Sequence, residues 1–301
     1  VDHKNNNSWS YLNVFGEKDS SKSKEQFELM KKKSILKKDK KNSFYIYKIS
    51  TGNHSQVGIV GTAKLSAYDN LHIRGHEEIF FERSQKRMKQ MDNLNAQIGP
   101  IYAVYPDNKI LDDLVKSELV KSPVYSFEGM DKSKHEMWVV DEEEKISKIC
   151  DLFNSINRIY IADGHHRMDA LLKLSKIKQH QNPNHTGKES YNYFMIAIFP
   201  TSQARILDYN RLIKDLYGYS PNDFIKEIEK KFNVEKQNSS YKPKKSQVFG
   251  MYLEKQWYSL ELKEKPHQNL FHIINLDINL LHYYLLEPTL GIGDPRYDNR
   301  I

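Results

Sequence analysis

A change of hydrophobic period between Arg158 and Leu174 (RIYIADGHHRMDALLKL) limits what this chain can fold into more than any other stretch. Ile159, Tyr160, Ile161 and Ala162 form an apolar, β-rich run, long enough for a buried strand and too short for a helix. From His165 onward, Met168, Leu171, Leu172 and Leu174 fall at helical spacing, with Arg167, Asp169 and Lys173 between them. Asp163 and Gly164 stand at the junction, a helix-capping residue type followed by the residue that turns without steric cost. The stretch reads as strand, tight turn, helix.

The first turn of a helix has unpaired backbone N–H groups and carries roughly half a positive charge, so it attracts anions. His165, His166 and Arg167 fall in that turn. Two imidazoles and a guanidinium add donors for phosphate oxygens, and the guanidinium fork can take two at once. Any one of these residues could equally cap, pack or face solvent, and the pattern gains its meaning from all five together.

Asp163-Gly164-His165-His166-Arg167 behind an apolar strand resembles the signature box of the free serine kinases, whose core is similar to the ParB and sulfiredoxin fold. His76-Glu77 resembles the His-Glu pair in which that family places its catalytic glutamate, and it precedes the box as it does there. Ser43 to Lys48, Ile101 to Asp107 and Leu290 to Asp294 look like landmarks of larger bacterial and archaeal relatives carrying the box, so the resemblance covers most of the chain. Those relatives begin with a further segment and continue past the final Arg-Ile, so this sequence is expected to be a piece of a longer protein.

Elsewhere the chain alternates strand-like and helix-like segments, which argues for a mixed α+β layer fold. Trp9 to Phe15 reads as extended and Glu25 to Leu36 as helical. Phe44–Ile49 and Val57–Leu65 read as a hairpin, with Gly58 and Gly61 marking a bulge or close approach. Arg83–Leu94 is an amphipathic helix stopped by Gly99-Pro100, and Ile101–Tyr105 a buried strand. Helices are expected over Ile110–Leu119, Glu142–Phe153, Pro221–Phe232 and Leu276–Leu286, the last ended by Pro288. Strands are expected over Val124–Phe127, Met137–Val140 and Tyr193–Phe199, and Val248–Leu253 should pair with Trp257–Leu262. Gln179–Glu189, with His180 and His185, reads as a polar loop, and Gly291–Ile301, with Asp294, Arg296, Asp298 and Arg300, as a tail. The expected layout is an N-terminal extension and helix (1–42), a ParB/sulfiredoxin-like catalytic core (43–205) and an additional α/β lobe (206–301).

Several function classes fall away. No apolar run is long enough to span a membrane, and Cys150, the one cysteine, has no partner for a disulfide or a thiolate metal site. Cytoplasm is therefore the expected location. No glycine-rich phosphate loop ending in Gly-Lys-Ser or Gly-Lys-Thr is present, and the His-Glu pair lacks the second histidine three residues after the glutamate that zinc hydrolases carry, Phe80 standing there. No haem, flavin or zinc is expected, and sulfiredoxin-like repair lacks a cysteine at the box. The net charge of +7 suits anionic partners. Much of it sits in Lys31, Lys32, Lys33, Lys37, Lys38, Lys40 and Lys41, which read as a solvated face.

The resemblance implies transfer of a phosphoryl group to the hydroxyl of free L-serine, giving O-phospho-L-serine for cysteine biosynthesis. Glu77 would accept the hydroxyl proton. Gly164, His165, His166 and Arg167, with His76 and Arg74, would hold the phosphate donor. Asp163 would orient these groups or help position Mg2+, the expected metal, so that Glu77, Asp163 and His166 form the expected catalytic set. Relatives tend to carry His-Arg within the segment Arg205–Leu212. Here Asn210 precedes Arg211, which leaves Arg211 as the better substrate ligand of the two. Pyrophosphate is favoured over ADP and ATP as donor, because no nucleotide loop is seen and Lys64, Arg74, Lys86 and Arg87 lie near the His-Glu segment. On pattern alone, Glu77 is one acid in a charged run with Glu78 and Glu82. The alternative is a nucleotide-responsive, ParB-like DNA-binding or regulatory protein, which would need a helix-turn-helix and a basic face that the segment after Arg211 does not show.

Overall fold

The computed structural model describes residues 7–15, 20–77, 79–264, 275–295 and 297–301, so Glu78 and Arg296 lie outside the described residues. The chain divides into two compact units, Val1–Ile206 and Leu207–Ile301. Both mix helices with antiparallel or mixed sheet, and the fold is α+β.

The first unit holds helix α1 (Ser20–Lys32), strands β1 (Phe44–Thr51), β2 (His54–Lys64) and β3 (Ile73–Arg74), helix α2 (Phe81–Leu94), and β4 (Ile101–Tyr105). After these come α3 (Lys109–Leu119), β5 (Tyr125–Glu128), β6 (Lys134–Val140), α4 (Glu143–Ser155), β7 (Ile159–Asp163), α5 (His165–Gln181) and β8 (Tyr193–Pro200). Its eight strands form one sheet in the order β3-β7-β4-β8-β2-β1-β6-β5. β7 pairs parallel with β3 (Ile73 opposite Ile159) and antiparallel with β4 (Ala103 opposite Ile161), while β4 and β8 run parallel.

The short apolar strands become the centre of the core. Ile101, Ala103 and Tyr105 on β4, Ile159 and Ile161 on β7, and Phe194, Ile196 and Ile198 on β8 are all buried. Leu111 of α3, Ile149 of α4, and Met168, Ala170 and Leu171 of α5 join the same cluster. Each of the isoleucine, leucine, phenylalanine and methionine side chains among them is worth roughly 1.5–3 kcal/mol when fully removed from water. The two β2 glycines mark close approaches, not a bulge. A Cβ on Gly61 would lie 2.5 Å from the Phe44 ring, and one on Gly58 2.6 Å from the Ile198 carbonyl oxygen.

Several boundaries differ from expectation. The Trp9–Phe15 stretch contains a helical turn, Leu12–Phe15, and α1 begins at Ser20. It ends at Lys32, and its Met30 shares a small cluster with Leu94 of α2 and with Ile98, so the N-terminal extension belongs to the first unit. Helix α5 runs through His180 to Gln181, because Lys176 O and Gln179 O are satisfied by the His180 ring and by Asn182 N–H.

The second unit carries α6 (Pro221–Ile228) and the antiparallel sheet β10-β11-β9, built of β9 (Phe232–Gln237), β10 (Val248–Leu253) and β11 (Gln256–Leu262). Phe232, expected as a helix end, starts β9 and is fully buried. Pro288 does not end the last helical stretch. The path runs from Asp277 to Leu281, widens over His282–Leu286, and continues as Glu287–Leu290 with Pro288 in its first turn, where a missing N–H is harmless. Gly291, at φ +62°, ends it, and the Arg300 guanidinium donates to the carbonyls of Leu290 and Gly291. Among the described residues no helix is long and apolar enough to cross a membrane.

Candidate active site

The strand-to-helix junction of β7 and α5 is built around Gly164. Its φ of +103° lies in the region that L side chains avoid, and a Cβ there would stand 3.1 Å from Ile101 Cδ1. Gly164 itself occupies the N-cap position and no side chain caps the helix. Asp163, expected to cap, is instead the last residue of β7, and its carboxylate accepts from Arg167 Nη2 at 2.9 Å. The first turn holds no acidic residue, and its side chains are His165, His166 and Arg167.

Parallel pairing of β3 with β7 carries the chain after Arg74 alongside this opening. Gly75 comes so near that a Cβ there would meet His165 Cδ2 and Tyr68 Oη, each at 3.1 Å. The His76 N–H donates to His165 Nε2 at 3.3 Å, and the two rings meet edge to face with centroids 4.6 Å apart. Glu77 then places Oε2 2.9 Å from His165 Nδ1. The approach is off the ring N–H axis, so Nδ1 is in close contact but lacks a well-aligned hydrogen bond. The carboxylate is half exposed, whereas the His165 side chain is 2% exposed.

Burial holds the His165 pKa below its usual value. The neighbouring His76 acts in the same direction, while Glu77 and Asp163 oppose it. Glu77 thus meets the side chain of the first residue of the helix directly.

His166 packs against the Phe80 ring at 5.5 Å, and its Nδ1 is buried without a partner. Arg167, expected to fork onto phosphate, is engaged at both ends, with Nη1 on the Pro100 carbonyl and Nη2 on Asp163. Arg74 donates through Nε to Leu71 O at 3.1 Å. Asn210 and Arg211 belong to the second unit, where the Arg211 guanidinium lies 4.2 Å from the Tyr209 ring centroid. The site described here is built from the first unit alone. Among the described residues no group of three or more His, Cys, Asp and Glu converges on one point. Asp163, with its side chain 73% exposed, keeps one carboxylate oxygen on Arg167 and is the acidic side chain of the box that would be open to a hydrated cation such as Mg2+.

A family profile described as "Protein of unknown function (DUF1015)" matches residues 11–279. The chain belongs to that family. No curated protein and no solved structure gives a significant match. The span that makes this a DUF1015 protein includes Glu77, the whole box and all of the sheet that positions them.

Sequence reading of this DUF1015 chain missed the residues that fit the box together. Gly75 and Gly99 were the available signals, because each lies against a box side chain. A Cβ on Gly99, at φ +76°, would press to 2.9 Å from Arg167 Nη1. Ser84 and Asp169, which hydrogen-bond between α2 and α5, carry no sequence signal, since their pairing depends on how the two helices cross.

Proposed function

We propose that this protein is a free L-serine kinase, moving a phosphoryl group from a small polyphosphate, with pyrophosphate favoured over ADP or ATP, to the serine hydroxyl. The observation that carries the reading is the contact of Glu77 with His165, the first residue of a helix whose opening is uncapped and without acids. A base and an anion site within a few ångströms are the two parts that this transfer needs, since it relies on placement and charge neutralisation more than on covalent chemistry.

In this reading Glu77 takes the hydroxyl proton as the serine oxygen bonds to phosphorus. The bond from that phosphorus to the bridging oxygen breaks, and its electron pair leaves with phosphate or nucleotide. The first-turn N–H groups and His166 hold the transferring group, and Arg167 keeps Asp163 turned toward it. Asp163 would hold Mg2+, which when bound neutralises charge on the donor. The absence of a glycine-rich phosphate loop, and Lys64, Arg74, Lys86 and Arg87 lying near the His-Glu pair in sequence, favour pyrophosphate.

The test is a donor panel of pyrophosphate, ADP and ATP with L-serine and Mg2+, read as O-phosphoserine. Product with at least one donor is the expected result. None with any donor overturns the reading.

A further inference from the structure

We propose that His165 is a positioning residue for Glu77, holding the carboxylate through its Nδ1–H, and is not a ligand of the phosphate donor. The role of Glu77 as a base rests on the kinase reading above, but the placement of the His165 proton does not.

The argument starts from the other side of the ring. A backbone N–H can only donate, so the His76 N–H makes His165 Nε2 an acceptor and leaves it without a proton. A ring whose Nε2 accepts is a neutral imidazole and keeps its proton on the other nitrogen. The single ring proton is then on Nδ1, the atom 2.9 Å from Glu77 Oε2. His165 is 4% exposed, so this donor has no access to water and no other partner, and an unmatched buried donor costs roughly 1–3 kcal/mol. Glu77 is the group that can relieve it, and the angle at which they meet needs only a small rotation of an exposed carboxylate. Contacts of this kind are often loose before substrate binds and tighten in the complex.

The surroundings fix the ring. Gly75 leaves no space for a methyl group beside Cδ2, Tyr68 closes the same side, and His76 stands edge-on. Glu77 lies in an irregular stretch between β3 and α2, where nothing in its own element fixes its rotamer. The packed ring therefore aims the half-exposed acid. With both nitrogens occupied in this way, His165 offers no donor to phosphate, and His166, whose Nδ1 is buried and unpartnered, is left as the imidazole of the box that can.

Two substitutions separate the nitrogens. In His165→Asn the amide NH2 falls near the Nδ1 position and keeps a donor for Glu77. In His165→Gln the longer side chain reaches the Nε2 position and keeps an acceptor for His76 N–H. With serine and the active donor, His165→Gln should lower kcat about 10–100-fold, because a misplaced base loses turnover on that scale. The KM for the donor should stay within about threefold, and His165→Asn should recover most of kcat. In a Glu77→Gln background His165→Gln should reduce kcat no further. A donor KM that rises with either substitution, or Gln outperforming Asn, overturns the proposal.

A second readout needs no activity. In 15N-labelled full-length protein, His165 should show a protonated Nδ1 and an acceptor Nε2, and the Nδ1–H signal should move in Glu77→Gln. A proton on Nε2, or an Nδ1–H indifferent to Glu77→Gln, overturns the proposal. Should no donor yield phosphoserine, the kinase reading falls and this measurement alone decides the placement.

Discussion

Two helix beginnings in this molecule are built in opposite ways. In the second unit, Ser220 precedes α6 with its Oγ accepting from Asp223 N–H, Pro221 fills the first position, and Asp223 adds a carboxylate to the first turn. Each of these answers one demand of a helix start, whether an unpaired donor, a preset φ or the positive end of the dipole. In the first unit, α5 begins on a glycine in a left-handed conformation, with no capping side chain, no first-turn acid, and two histidines and an arginine instead. By every local rule α6 is the better start. Yet α5 is the longer helix, held by Met168, Ala170 and Leu171 in the main core, so packing compensates for what its first turn lacks. A helix that the core stabilises can leave its opening to a ligand.

That contrast can be broken by mutation. Glu77→Gln should lower phosphoserine formation about 100- to 10,000-fold while the urea midpoint stays put, because the half-exposed acid serves the opening and not the fold. Near-normal turnover would mean that the opening of α5 is not a site. Gly164→Ala should reduce unfolding free energy by about 1–3 kcal/mol in urea titration, since φ +103° is closed to alanine and Ile101 blocks the methyl. Ser220→Ala should lose about 1 kcal/mol of stability with turnover intact, the reverse of Glu77→Gln. Asp163→Asn should change stability by less than about 1 kcal/mol, because its pair with Arg167 is exposed on the carboxylate side.

The smallest effect is on pH. The folded His165 pKa is depressed, so the unfolded chain binds the proton more tightly. The corresponding stability is complete above the unfolded value near 6.5 and is lost as pH falls through the folded value. Glu77 and Asp163 limit its size and His76 adds to it. Urea titrations from about pH 7.5 to 5 should show a shallower decline in His165→Asn than in the parent chain, and no change of slope in Ser220→Ala.

How far the sequence could be read follows from the range of each interaction. The β7–α5 junction, the β10–β11 hairpin and the four alternating strand and helix segments around β4 were legible, because their period and turn residues are local. Asp163 as a cap was misread because the same carboxylate had a stronger partner one turn on, Arg167, once Gly164 took the N-cap position. Pro288 was misread as a stop because a proline is tolerated wherever a helical path restarts. The nearness of Glu77 to His165 depends on β3 pairing with β7 across more than eighty residues of chain, and no local pattern in either segment encodes that.

Arg167 gives the box a mechanical side. Its guanidinium bridges Asp163, at the tip of one strand, and the Pro100 carbonyl, just before the next strand begins. Without the Asp163 carboxylate, the corner at Gly99 and Pro100 would keep the Nη1 arm of that bridge alone. One guanidinium thus joins the corner that separates α2 from β4 to the last residue of β7.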